Sequence, residues 1–240
     1  MLLLSIDTCG PLGTVAVARL NANGLEILGQ TELPGKTYSA QLVPSIREIL
    51  SHHNVTLAEI ATIVVTNGPG SFTGIRIGLS TAKGLAEPTS IPILAVSRLV
   101  VLANKAQASN RFVRAAALDA SRGELYFGAY PDGPDGAVYR VVSPSSPDEG
   151  LLSSDNFRDI AEGLAFCLAI CEESLQALAP QATLVPPPTA TDALRYALPR
   201  LRARDFNDPT TLDGNYLRRS DAEIFSKPKL HTAPDATPHS

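Results

Sequence analysis

Leu2 to Thr8 is a nearly continuous apolar run, and Thr14 to Leu20 is a second, set apart by Gly10-Pro11-Leu12-Gly13. Two such runs about a turn-forming tetrapeptide predict a hairpin. A third run, Leu25 to Leu33, follows the turn dipeptide Asn23-Gly24 and ends at Pro34-Gly35. Three consecutive antiparallel strands are the economical reading. From Ser39 the period changes: Leu42, Ile46, Ile49 and Leu50 fall at i, i+4, i+7 and i+8, the stripe of an amphipathic helix from Ser39 to Leu50. Ile60 to Thr66 is a β-branched run too uniformly apolar for a surface strand, so it is expected to be buried on both faces. It opens into Asn67-Gly68-Pro69-Gly70. A second helix is predicted from Thr73 to Glu87, stopped by Pro88, then a strand at Ile91 to Val96 and a third helix from near Ser97.

The order βββαβαβα then begins to repeat. After the polar stretch Asn104 to Arg111, strands are predicted at Phe112 to Leu118, Glu124 to Tyr130 and Ala137 to Val142, separated by Ser121-Arg122-Gly123 and Asp132-Gly133-Pro134. Two halves that each open with a three-strand meander and continue into helices point to duplication of one α/β unit. Further on, Gly163 to Ile170 reads equally as a strand or as the middle of a long helix. Leu184-Val185, Thr191 to Leu201 and Tyr216-Leu217-Arg218 read as strand, helix and closing extended segment. The expected division is a first lobe over 1–104, a second over 105–219 and a disordered tail over 220–240, where Pro228, Pro234 and Pro238 break any periodicity.

Composition narrows the function classes. With 240 residues and 44% hydrophobic content the chain can bury a core without disulfides. Its net charge of −4 carries no overall footprint for nucleic acid, and the basic residues Arg200, Arg202, Arg204, Arg218 and Arg219 are expected to be a solvated face. Cys9, Cys167 and Cys171 lack zinc-ligand spacing and fit a reducing compartment. No window is long and apolar enough to span a bilayer, and Asp7 comes too early for a signal peptide's apolar core. The expectation is a cytoplasmic chain with no membrane contact.

Candidate chemistry concentrates at strand ends. Gly68, Gly70, Ser71 and Thr73 lie where a strand runs into a helix N-terminus, which offers free N–H groups to an anion; a tight turn needing glycine explains the same residues. It is not a Walker A loop, since Ile75-Arg76 stand where Lys and Ser or Thr are required. Gly74, Gly78 and Ala82 recur every four residues, which suits either packing on the chain's own sheet or a close approach by a partner's helix. Asp7-Thr8 at the end of the first strand, and Asp119 with Arg122 at the matching point of the second half, suit Mg²⁺-phosphate binding across a cleft or serve as turn acceptors. No nucleophile–base pair, metalloprotease motif or metal-ligand cluster is present in the sequence.

At Asp7-Thr8, Gly68-Pro-Gly-Ser-Phe-Thr-Gly-Ile-Arg-Ile-Gly78, Ala82-Lys-Gly-Leu85, Leu118-Asp-Ala-Ser-Arg-Gly-Glu-Leu-Tyr126 and Tyr216-Leu217-Arg218 the chain resembles the TsaB (YeaZ) family. The resemblance implies an actin-like ATPase (ASKHA) fold of two ribonuclease-H-like lobes. It implies a role in making threonylcarbamoyladenosine in tRNA, as a non-catalytic partner that binds and activates its paralogue TsaD, with the ATPase TsaE joining them. The paralogue group carries a peptidase M22 label for which this chain has no residues. By the same carry-over the TsaD contact is expected at Tyr38, Leu42, Ile46, Ile49, Gly74, Arg76, Gly78 and Ala82, with a homodimer on that face when TsaD is absent, and with tRNA contact only indirect. No cofactor of its own is implied; ATP or ADP with Mg²⁺ would sit at the shared interface, near Asp7, Thr8, Gly68, Gly70, Ser71, Thr73, Asp119 and Arg122. Two departures stand out: Tyr38 replaces a His common in relatives, and Ile170-Cys171-Glu172 replaces a Gly-rich turn. The competing reading is an autonomous Mg-ATP-dependent ATPase or phosphotransferase.

Overall fold

The structure is a computed structural model describing residues 1–35, 37–106, 113–131, 149–163 and 167–218. The opening meander forms as β1 (Leu2–Asp7), β2 (Leu12–Asn21) and β3 (Gly24–Pro34). It is followed by α1 (Tyr38–His52), β4 (Ile60–Thr66), α2 (Phe72–Ala86), β5 (Ile93–Val96) and α3 (Arg98–Lys105). β4 and β5 add to β1 in parallel, giving the sheet order β3-β2-β1-β4-β5. Pro44 lies inside α1 on its exposed side, where the lost N–H bond costs less than the buried stripe gains.

The second half repeats the plan. β6 (Val113–Asp119), β7 (Glu124–Pro131) and β8 (Glu149–Ser153) form an antiparallel meander; after α4 (Ser154–Gly163), β9 (Cys167–Ile170) and β10 (Thr183–Leu184) extend it in parallel. The order β8-β7-β6-β9-β10 is that of the first sheet, position for position. The strand expected at Ala137 to Val142 lies outside the described residues. The third meander strand is β8 at Glu149–Ser153, a segment the sequence pattern did not single out. The ambiguous stretch Gly163 to Ile170 divides into the end of α4 and the strand β9. Tyr216-Leu217-Arg218 joins neither sheet.

Burial alternates along the central strands and so defines layers. Leu4 and Ile6 of β1, with Ile63 and Val65 of β4, pack against Leu42, Ile46 and Ile49 of α1 and Ile75 and Leu79 of α2. Leu3 and Val64 face the opposite way, into a core that holds Leu99 to Ala103 of α3, Ala193, Leu194 and Ala197 of α5 (Ala190–Ala203), and Ala116, Leu118 and Tyr130 of the second sheet. A third cluster covers the far face of the second sheet, with Phe157 and Ala161 of α4. The helices cross over: α3, from the first half of the chain, packs on β6, β7 and β9, and α5, from the second half, packs on β1, β2 and β4. Lys105 of α3 and Asp192 of α5 bridge this middle layer at 2.5 Å.

Candidate functional site

The carboxyl ends of β1, β4 and β5 meet those of β6 and β9 across a cleft of about 840 Å³, where ligands bind in open α/β sheets. From the first half it is lined by Cys9, Gly10, Tyr38, Gly70, Ser71, Thr73 and Arg98; from the second by Asp119, Ser121, Tyr126 and Glu172. Of the expected anion-site residues, Gly70, Ser71, Thr73 and Asp119 thus line one cleft. Asp7 and Thr8 lie beneath its surface, 2% and 0% exposed. Arg122 is exposed and is not among the cleft-lining residues.

Asp7 is engaged within the fold. Its Oδ1 accepts from the Cys9 amide at 2.9 Å, and its Oδ2 lies 3.8 Å from Nε of Arg98, at the N-terminus of α3. Burial pushes the Asp7 carboxyl above the usual carboxylate range, against the opposing pull of Arg98. The guanidinium passes over Gly10, where a Cβ would stand 2.4 Å from Nη2. Asp119 Oδ1 accepts from the Ser121 amide at 2.7 Å, the turn-acceptor role, while remaining exposed at the cleft rim. Among the described residues no three His, Cys, Asp or Glu side chains converge as a metal site.

The glycine-rich segment is shaped by contacts inside the chain. Gly70 has φ +154°, and a Cβ there would lie 2.3 Å from the Cys9 carbonyl oxygen. Ser71 caps α2 by accepting from the Gly74 amide at 3.2 Å, and its own amide donates to the Cys9 carbonyl at 2.8 Å. The first strand end and the α2 N-terminus are therefore laced together.

Most residues expected to meet a partner face inward. Tyr38, Leu42, Ile46 and Ile49 are core residues of the first lobe, and the Tyr38 hydroxyl donates to the Gly10 carbonyl oxygen at 2.7 Å. Burial, with Asp7 nearby, pushes that phenol up to about 12. Gly74 and Gly78 lie against Thr8, and Ala82 is 0% exposed in the same core. The four-residue spacing of small side chains is accounted for by packing on β1, because a Cβ at Gly78 would stand 2.4 Å from Thr8 Oγ1. Arg76 alone of the eight is exposed, its guanidinium 3.8 Å above the Phe72 ring. The outward surface of α1 and α2 is made by other residues: Val43 is 46% exposed, and Val43, Arg47, Leu57 and Leu85 flank a groove of about 620 Å³.

The sequence pattern passed over Arg98 and the pair Glu149–Asn215, and marked Glu172 only as part of the departure Ile170-Cys171-Glu172. Arg98 carried a signal, being the one charged residue in the run Leu94 to Ala103, which is apolar apart from it and Ser97. Glu149, 7% exposed, accepts from the Tyr130 hydroxyl at 2.7 Å and from the Asn215 side-chain amide. The Asn215 backbone amide donates to the Asn67 carbonyl at 2.7 Å, so the closing segment ties the end of β4 to the second sheet.

Comparison with known proteins agrees with this geometry. Residues 31–135 match the family model described as TsaD: tRNA N6-adenosine threonylcarbamoyltransferase. The chain is 34% identical over 131 residues to the tRNA threonylcarbamoyladenosine biosynthesis protein TsaB of Escherichia coli and 32% identical over 155 residues to that of Bacillus subtilis. These alignments cover 54% and 65% of this chain, and 55% and 64% of the two relatives. The solved structure of YeaZ from Pseudomonas aeruginosa superposes with a TM-score of 0.69 at 26% identity, covering 90% of this chain and 99% of that one. A second structure, an uncharacterized protein with similarity to peptidase YeaZ, gives 0.72 at the same identity and coverage. The chain is similar to the TsaB (YeaZ) proteins and spans less than two thirds of the length of the curated relatives it matches. With its two matching mixed sheets the chain has the actin-like, two-lobed α/β fold that the resemblance implies, and the duplicated meander agrees with it. TsaB relatives act in threonylcarbamoyladenosine biosynthesis, and no helix among the described residues is long and apolar enough to cross a membrane.

Proposed function

We propose that this chain is a non-catalytic partner subunit in the threonylcarbamoyladenosine modification of tRNA, binding and activating a TsaD-type transferase, with a TsaE-type ATPase joining them. The observation that carries the reading is the state of Asp7. A carboxylate meant to grip Mg²⁺-ATP must face the cleft; here it is 2% exposed, holds the Cys9 amide and is ion-paired with Arg98. The outward face of α1 and α2, with the groove beside Val43 and Leu85, is the surface offered to the partner.

The test is co-purification with the TsaD-type protein followed by measurement of tRNA modification. Val43→Glu and Gly84→Arg alter that face without entering the core, since Val43 is 46% exposed and a Cβ at Gly84 meets nothing within 4 Å. Each is expected to abolish the heterodimer and the modification without lowering the melting temperature. Intact complexes with both variants would overturn the assigned surface. Robust Asp119-dependent ATP turnover by the isolated chain would overturn the non-catalytic reading.

A further inference from the structure

We propose that the groove between α2 and the closing segment around Tyr216 binds single-stranded RNA, with the Arg76 guanidinium as the platform on which a base stacks and Lys83 as a second phosphate contact. The choice of RNA rests on the tRNA-modification reading above, while the groove is read from its own residues. It has a volume of about 580 Å³ and is lined by Phe72, Arg76, Ser80 and Lys83 of α2 and by Tyr216 and Arg218 of the closing segment. Leu85, which borders the groove beside Val43, follows Arg76 by nine residues, about half a turn around the helix axis. The two grooves therefore lie on opposite flanks of α2, and a partner seated on one leaves the other open.

Charge and shape give the ligand its class. In a chain of net charge −4, α2 carries Arg76 and Lys83 and no acid. Lys83 Nζ donates to the Leu212 carbonyl at 2.6 Å, which leaves two of its three N–H groups for a ligand. Arg218 is already paired with Glu124 and is not counted, and Asp213, the acid among the lining residues, holds the Gly214 amide with its Oδ1. Arg76 is exposed, and among the described residues it is matched with a ring, not a carboxylate: the guanidinium carbon stands 3.8 Å from the Phe72 ring centre. Phe72 in turn meets Tyr216, with ring centres 5.0 Å apart. The side of the guanidinium turned away from Phe72 meets solvent. A guanidinium so held offers its plane to a base and its N–H edge to a phosphate, a pair of groups that single-stranded nucleic acid repeats and an acidic peptide lacks. Arg76 and Lys83 lie two turns apart on one side of α2, about 10 Å along the axis, which suits the phosphates of a strand better than a lone phosphate.

The experiment is fluorescence anisotropy on the full chain with a labelled single-stranded oligoadenylate, alongside a labelled polyglutamate peptide of matching length. The RNA is expected to bind with a Kd of about 0.1 mM or tighter at about 50 mM salt and to weaken as salt rises. Arg76→Gln is expected to weaken it about tenfold, the size of one lost stack, and to reduce the slope of log K against log salt by about 0.7, the share of one phosphate contact. Arg76→Lys keeps the charge and loses the plane, so it should weaken binding severalfold at an unchanged salt slope, a split that a folding defect would not produce. Lys83→Gln should reduce the slope by about 0.7. Val43→Glu, on the opposite flank, is expected to bind RNA as the parent does, which separates this test from that of the heterodimer. A chain that forms the heterodimer and binds no oligoadenylate would overturn this inference and leave the partner reading standing. The proposal is likewise overturned if either Arg76 variant binds the RNA as well as the parent, or if polyglutamate binds as tightly as the RNA.

Discussion

The Thr8 hydroxyl donates to the Gly74 carbonyl oxygen at 2.6 Å, fastening the end of β1 to the first turn of α2. That contact exists because positions 74 and 78 carry no side chain. A Cβ would lie 2.0 Å from the Thr8 carbonyl oxygen at Gly74 and 2.4 Å from Thr8 Oγ1 at Gly78. Gly74→Ala and Gly78→Ala are each expected to destabilise the chain by about 1–3 kcal/mol, Gly74 the more because its clash is with backbone. Gly84→Ala, on the exposed side of the same helix, is expected to stabilise by about 0.5–1 kcal/mol. Urea denaturation midpoints check all three; equal effects at the three sites would refute the packing account.

Tyr38 governs part of the alkaline stability. Its folded-state pKa of about 12 exceeds its ordinary value of 10, so the stability it contributes is complete below pH 10 and is lost as pH rises toward 12. Tyr38→Phe is expected to cost about 1 kcal/mol near neutrality, from the lost bond to the Gly10 carbonyl, and to flatten the decline above pH 10. Denaturation curves across that range, with phenolate absorbance as a second probe, measure both effects.

Cys171 is predicted to be a sluggish thiol. Burial, with Glu172 alongside, pushes it up to about 12 from an ordinary 9. At pH 8 the thiolate population is then about a thousandfold below that of an unperturbed cysteine, and alkylation by iodoacetamide should slow accordingly. Mass-spectrometric rates for the Cys171 peptide test this, and Glu172→Gln should speed the reaction by removing one of the causes.

Glu149 is expected to act as the latch of the closing segment. Glu149→Ala leaves the buried Tyr130 hydroxyl and the Asn215 amide without their acceptor, at a cost of about 1–3 kcal/mol. Hydrogen exchange should quicken at the Asn215 amide, which donates to Asn67, before it quickens in β6 or β7. Uniform acceleration across the second sheet would show that Glu149 holds the sheet rather than the segment.

Where hydrophobic period and turn residues agreed, the sequence was legible. The stripe Leu42-Ile46-Ile49 marked α1 in spite of Pro44, the uniform run Ile60 to Thr66 marked a strand buried on both faces, and Ser97 marked the start of α3 as its N-cap. β8 escaped because Glu149-Gly150 opens it with no apolar alternation; its anchor is the long-range bond from Tyr130 to Glu149. Of the cleft, the local markers Gly70, Ser71, Thr73 and Asp119 were readable. Arg98 and Glu172 were not, since they lie 74 residues apart and meet at the cleft only through the packing of two sheets. The Gly74-Gly78-Ala82 face was ambiguous for a related reason: spacing tells that something comes close, while only the fold tells that it is Thr8.

The crossover of α3 and α5 makes the chain hard to divide. A cut after Lys105 would leave the first fragment without the helix that roofs β1 and β4, and the second without the one that seals β6 and β9. Each piece would expose an oily seam whose natural lid travels with the other. Fragments made separately should therefore be insoluble and should recover solubility when co-expressed, which would make the two halves a reporter for reassembly.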